Sequence, residues 1–421
     1  MELSENARRG GRQRTQLGQE ISEVAVPLRT VEPDEPWEDL RPLVALTEDA
    51  AVLGYGAGTR GAHEVSALQD RIARLLVSES GFRIIALDQD WSLGLRLDTF
   101  VCTGVGDPRE ILTRAEAFAA TEEVVAMIRW VRAFNRDHPG DPVRVVGVSP
   151  HAIEAGVYDT VLEYVRAVAP DRVSDLRELY ADVRPEGDID AHTGRFRRLP
   201  DRAARVDRVR AAHRLVSDLA ADDEDWAWVV QSARMIVQYH ELHDHDSRPE
   251  DPANMAYYEA AFAENVEWWH HYTERRVLFW SSSSHTANAR YRGFPPDPAQ
   301  VSRNAGSYLR ERLGARYFSL GIGFSRGTVT AFDGGEPVQV RHIPPHLLES
   351  ALDAVDLDIY LLDLSADHPA TVAHLLSRTA DFRVMGPGSD GTTFMTGGSP
   401  GEWFDVIVHC RRVTAARPLR A

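Results

Sequence analysis

The stretch VLGYGAGTRGAHE, Val52 to Glu64, decides how the rest of the chain is read. It starts as an apolar strand, passes through a glycine-rich turn, and opens a helix whose Val65, Leu68, Ile72, Leu75 and Leu76 fall on one face. A strand that turns sharply into a helix is the repeating unit of α/β proteins. Working outward, RIIAL runs into DQDW, and the helical pattern TEEVVAMIRWVRAFNRD is followed by the strand PVRVVGVSPH and the helix AIEAGVYDTVLEYVRAV. From about Asp171 to Glu274 the pattern is helical without strands, and then RRVLFWSSSSH, ARYFSLGIGFSRGTVTAF, LDIYLLDL and FDVIVHCRRV bring the strands back. This order predicts an α/β fold with a mostly parallel or mixed central sheet flanked by helices. Residues 29–170 and 275–421 are expected to form that core, residues 171–274 an inserted helical cap, and residues 1–28 a flexible N-terminal tail.

Composition narrows the function. With 43% hydrophobic and 26% charged residues, the 421-residue chain has the balance of a globular protein. Its formal charge of -17 disfavours long-range attraction to nucleic acid or anionic lipid, leaving a small molecule or a peptide as the expected partner. All 47 basic residues are arginine, a bias read as the mark of a GC-rich genome. The lack of lysine excludes Schiff-base chemistry and a P-loop lysine. Cys102 and Cys410 are far apart in apolar segments and no apolar run reaches the length of a membrane span, so a reducing, cytoplasmic setting is expected. The GIG and GPGSDGTTFMTGG segments complete neither a dinucleotide fingerprint nor a Walker pattern, and no cofactor is expected.

Ligands of open α/β sheets bind beyond the carboxyl ends of the strands. Here those ends carry Gly56 to Glu64, Asp88 and Asp90 with Trp91, Ser149 with His151, and Ser281 to His285. Asp88 and Asp90 are expected to face opposite sides, Asp88 the cleft and Asp90 a neighbouring turn. Arg60, at the start of a helix, has a fork of donors suited to a carboxylate, a phosphate or an oxyanion, with Glu64 at i+4 placed to pair with it. The cluster HELHDHD, with His240, His243 and His245, has metal-like spacing but no evident fourth ligand, and is read as a solvated helix end without a metal. The rings of WWHHY, Trp268 to Tyr272, are read as core.

Three of these stretches, GAGTRGAHE (Gly56–Glu64), LDQDW (Leu87–Trp91) and WSSSSH (Trp280–His285), resemble in the same order the motifs G-E-x-T-H-G-x-x-E, E-A-D-W and W-A-H-N-x-H of the erythromycin esterase family. TEEVVAMIRWVRAFN, YYEAAFAENVEWW, GFSRGTVTA and FDVIVHCRRVTAARPL extend the resemblance over roughly residues 28–420. It implies an α/β core with a helical cap, and a water activated by the histidine of the first motif with help from the acid of the second and the last histidine of the third. By position these roles fall on Arg60, Asp88 and His285. The sequence departs from the pattern at Ala57, Arg60, Ser282 and Ser283, and an arginine, with a pKa above about 12, accepts no proton from water.

The expected catalytic set is therefore His285, Asp88, Arg60, Glu64 and His63, with Arg326, Ser282, Ser283, Trp91 and His151 as substrate contacts. The favoured function is a natural-product tailoring enzyme that eliminates, cyclises or isomerises, using Arg60 to clamp an anion while His285 and Asp88 move a proton. The alternatives are a cofactor-independent esterase or lactone hydrolase with His285 or His63 as base, and a ligand-binding homologue without turnover.

Overall fold

A strand buried along its whole length needs cover on both faces, and all six residues of Val52–Ala57 are buried. The computed structural model describes residues 16–219, 224–244, 252–290, 292–294, 297–331, 336–384 and 393–419. Its strands are β1 (Val26–Pro27), β2 (Val52–Ala57), β3 (Phe82–Asp90), β4 (Arg144–Ser149), β5 (Arg276–Ser282), β6 (Arg292–Phe294), β7 (Asp297–Ser302), β8 (Tyr317–Val329), β9 (Val338–Val340), β10 (Ile359–Asp363), β11 (Ala380–Arg383), β12 (Phe394–Gly398) and β13 (Val406–Val413). Nine of them form the central sheet in the order β1-β10-β13-β8-β2-β5-β3-β4, with β9 beside β8. From β13 to β4 every neighbouring pair is parallel, while β1, β10 and β9 join antiparallel. This is the mostly parallel α/β sheet that the sequence pattern predicts. β11, β12, β6 and β7 make a second, four-stranded sheet.

The side chains of β5 show how the sheet separates two cores. Leu278 and Trp280 join one cluster, with Leu68, Ile72 and Leu75 of helix His63–Ser80 and Ile128 and Val131 of helix Glu122–Asp137. Val277 and Phe279 join the other, with Val157 and Val161 of helix Ala155–Val168 and Phe262 and Val266 of helix Pro252–Thr273. Between β4 and β5 the chain is helical, with Val173–Tyr180, Ile189–Phe196, Arg202–Ser217, Glu224–Asp244 and Pro252–Thr273. Trp268 and Trp269 pack there against Trp91 and Trp228, so these rings are core, as read from the sequence.

One expectation needs correction. Residues 16–24 are helical, Ile21 is fully buried, and Val26 and Pro27 pair with Leu361 and Tyr360 of β10. The segment up to residue 28 is thus attached to the core from residue 16 onward, because its short apolar stretch supplies an edge strand.

After β3 the helix Trp91–Thr103 crosses β4 so closely that a Cβ on Gly94 would lie 2.0 Å from the Gly147 nitrogen. Gly94→Ala is expected to lower stability by about 3 kcal/mol, because backbone would have to move to admit the methyl group; urea unfolding measures it, and an unchanged midpoint would refute the close approach.

Candidate active site

The parallel strands β2, β5, β3 and β4 lie side by side and all end at the same rim. β2 delivers the glycine turn. Gly56 has no room for a side chain, since a Cβ would meet Thr286 Oγ1 at 2.2 Å and the Ser283 Cα at 2.5 Å. The turn is held by Gly58 N–H donating to the Ile322 carbonyl at 2.8 Å and by Gly61 N–H donating to Thr59 Oγ1 at 3.1 Å. Arg60 then reaches across to β3, where its Nη1 lies 2.5 Å from Asp88 Oδ2. The two side chains are only 14% and 8% exposed, so this is an ion pair inside the protein. The guanidinium carbon sits 3.3 Å from the centre of the Phe118 ring, stacked as cations stack on aromatic faces.

Asp88 is the centre of the site. The Ser281 hydroxyl donates to Oδ2 at 2.9 Å and the Tyr258 hydroxyl to Oδ1 at 3.3 Å. Burial by itself raises the Asp88 carboxyl, but the charge of Arg60, then His285, the Ser281 hydrogen bond and His151 bring it below its ordinary value, so it is ionised. His285 stands behind it, with Nε2 3.9 Å from Asp88 Oδ2 and Nδ1 2.9 Å from Glu259 Oε1. Glu259 is fully buried, and its other oxygen accepts the Ala305 amide at 2.8 Å, at the start of helix Ala305–Leu313. A carboxylate only accepts hydrogen bonds, so Nδ1 of His285 is the donor to Glu259, and the ring is held with Nε2 facing Asp88. A carboxylate orienting an imidazole in this way is the arrangement of a general base.

Arg60, Asp88, Gln89, Phe118, Val124 and Trp280 line a cavity of about 30 Å³, room for about one water. Phe118 closes it. Its segment is tied down by the Glu116 N–H donating to Gln89 Oε1 at 3.1 Å and by Glu116 Oε1 lying 3.4 Å from His151 Nε2.

Several expected contacts lie elsewhere. Glu64 does not pair with Arg60; it accepts the Thr414 amide and hydroxyl, because the helix begins only at His63 and Arg60 is outside its i,i+4 geometry. His63 points away from Asp88 and bridges Glu123, at 2.9 Å, and Glu32, at 3.3 Å. Asp90 caps helix Trp91–Thr103 by accepting the Leu93 amide at 3.0 Å. It departs from Asp88 because the pairing of β3 with β4 shifts between Leu87 and Asp90; in a regular strand residues two apart share a face. Trp91 is 1% exposed in the tryptophan cluster and belongs to the core. Ser282 bonds Ser284, and Ser283 donates to the Gly56 carbonyl, so these hydroxyls hold their own loop. Arg326 pairs with Asp353 at 3.3 Å. His240 bonds the Tyr158 hydroxyl and His243 bonds Arg197 and the His151 carbonyl; His245 lies outside the described residues. Among the described residues no group of three His, Cys, Asp or Glu could hold a metal ion, and no helix is long and apolar enough to cross a membrane.

Glu259 and Tyr258 were not singled out by sequence reasoning, whereas Ser281 falls in the strand-end stretch Ser281 to His285. The signal for the first two was their position in YYEAAFAENVEWW, one of the segments that carries the family resemblance.

The fold is a mostly parallel α/β sheet covered by helices, and the chain belongs to the erythromycin esterase family, whose model matches residues 77–413. The match begins after the Arg60 turn, where this sequence departs from the motif. A putative hydrolase of Bacillus subtilis, YbfO, is 20% identical over 350 residues, covering 77% of each chain. A Bacillus cereus protein of solved structure is 25% identical, with a TM-score of 0.84 over 96% of this chain and 99% of that one. A mutant of the erythromycin esterase EreC in its open conformation is 14% identical, with a TM-score of 0.68 over 93% of this chain and 98% of that one, and shares the fold.

Two predictions follow from the charges. Arg60→Met leaves Asp88 buried without its main counter-charge and is expected to cost about 3–5 kcal/mol, much of it recovered in Arg60→Met with Asp88→Leu; equal stabilities of the single and double variants would contradict the pair. The hydrogen bond to Glu123 raises the His63 imidazole above its ordinary 6.5, burial partly opposing it. A raised histidine contributes stability that is complete below pH 6.5 and lost as pH rises through the folded value. His63→Ala should therefore destabilise more at pH 6 than at pH 9 in thermal melts, and a pH-independent loss would argue against this.

Proposed function

We propose that the chain is an acid–base enzyme of hydrolase type, acting on an uncharged ester, lactone or amide group of a small natural product or peptide, with His285 as the proton-accepting group. The observation that carries this reading is the Glu259–His285 contact, which fixes the ring and leaves Nε2 as its basic atom. Arg60 occupies the position of the family's water-activating histidine but has a different role. Its charge is balanced by Asp88, so the pair offers no surplus for a carboxylate or phosphate, and an anion clamp is not favoured. Arg60 instead keeps Asp88 ionised beside His285, where a carboxylate stabilises the imidazolium formed when Nε2 takes a proton.

A second reading keeps the same proton-moving pair but removes water from the reaction, giving elimination, cyclisation or isomerisation. It is favoured by the tightness of the cavity beneath Phe118. Turnover of macrolides and aryl esters in oxygen-18 water separates the two, since only hydrolysis places the label in the product. His285→Ala is expected to lower kcat about 10²–10⁴-fold and Glu259→Gln less, while His63→Ala leaves kcat unchanged. A His285→Ala variant with full activity would end the proposal.

A further inference from the structure

Asp88 is the inner end of a chain of hydrogen bonds that starts at the surface. Its Oδ1 is 3.3 Å from the Tyr258 hydroxyl, which is 2.9 Å from Ser149 Oγ, which is 2.7 Å from His151 Nδ1. Ser149 is fully buried, whereas the His151 side chain is 28% exposed and turns Nε2 toward Glu116, itself 52% exposed.

The direction of this chain is fixed from its inner end. Asp88 is ionised and can only accept, so Tyr258 must donate to it. Burial, and then the charge of Asp88, raise the Tyr258 phenol well above its ordinary value, so the proton to be donated is present. A phenol whose proton is committed to Asp88 accepts from Ser149, and Ser149, with its own proton committed, accepts from Nδ1–H of His151. Every donor therefore points inward, and the neutral His151 ring is the Nδ1–H tautomer.

We infer that His151, Ser149 and Tyr258 form an inward-directed proton path between solvent and Asp88, working while Phe118 closes the cavity. A proton from water binds His151 Nε2 and makes the imidazolium. The Nδ1 proton then passes to Ser149 Oγ as the serine proton passes to the Tyr258 oxygen and the phenol proton to Asp88 Oδ1. One proton has left solvent, one has reached Asp88, both hydroxyls keep one hydrogen each, and the imidazole is left neutral as the Nε2–H tautomer; the reverse passage restores the start. The use of the path rests on the proposed reaction, in which Asp88, with its Oδ2 3.9 Å from His285 Nε2, shares the proton traffic of the site. With about 30 Å³ of space beside Asp88, exchange through a side-chain chain replaces exchange through bulk water.

The test needs no substrate at first. In the full-length protein labelled with nitrogen-15 histidine, at a pH where the ring is neutral, His151 is expected to show the Nδ1–H tautomer, and Ser149→Ala or Tyr258→Phe, each checked for an unchanged fold by circular dichroism, is expected to shift it to Nε2–H. An Nε2–H tautomer in the unaltered protein overturns the path. With an aryl ester that is turned over, His151→Ala should lower kcat on the order of tenfold with KM unchanged and be rescued by added imidazole; full activity at all pH values overturns the path as well. The Nδ1–H tautomer in a protein that turns over no ester, lactone or amide supports the path and counts against the proposed reaction alone.

Discussion

The site is organised by one buried ion pair. Taking a carboxylate and a guanidinium out of water costs several kcal/mol for each ion, and their attraction offsets this only when geometry is good and remaining hydrogen-bonding capacity is filled. Both conditions are met at Asp88, which has Arg60 at 2.5 Å, Ser281 at 2.9 Å and Tyr258 at 3.3 Å. Those partners come from the turn after β2, from β5 and from the helix Pro252–Thr273, so the pair requires the sheet order and the helix above it to be in place. In turn it sets the charge of the pocket: one positive and one negative group in contact leave a wall without net charge, and an imidazole beside it feels mainly the nearer carboxylate.

Much of the fold was legible because its signals are local. The glycine turn after Val52–Ala57, the periodicity of His63–Ser80 and the apolar runs of β3, β4, β5, β8 and β13 follow from residue spacing alone. The attachment of residues 16–27 was not, because a two-residue edge strand has no pattern of its own and forms only where β10 leaves an edge free. The sequence placed Asp88, Arg60 and His285 at strand ends on one rim, and the rule that ligands gather there is topological, so it survives ignorance of side-chain directions.

The partners within the site were harder to read, for a physical reason. Glu259 lies in YYEAAFAENVEWW, where a glutamate between apolar residues looks like the wet face of an amphipathic helix. Its burial depends on His285, 26 residues away, and on the Ala305 amide at the start of another helix. The local rule that pairs residues four apart favoured Arg60 with Glu64, but it applies only within a helix, and Arg60 precedes the helix start. Once Arg60 is outside, Asp88 across the strand ends takes the guanidinium, and Glu64 is free to hold Thr414.

Replacing a base by a permanent cation therefore changes more than one residue's role. A histidine at position 60 could trade its proton with water; an arginine cannot, and its charge favours the ionised form of Asp88 at rest. In the proposed reaction proton acceptance falls instead to His285, which Glu259 orients while the amide of Ala305 holds Glu259. The stacking of Phe118 on the guanidinium follows from the same substitution, because the flat cation offers an aromatic ring a face that it then covers.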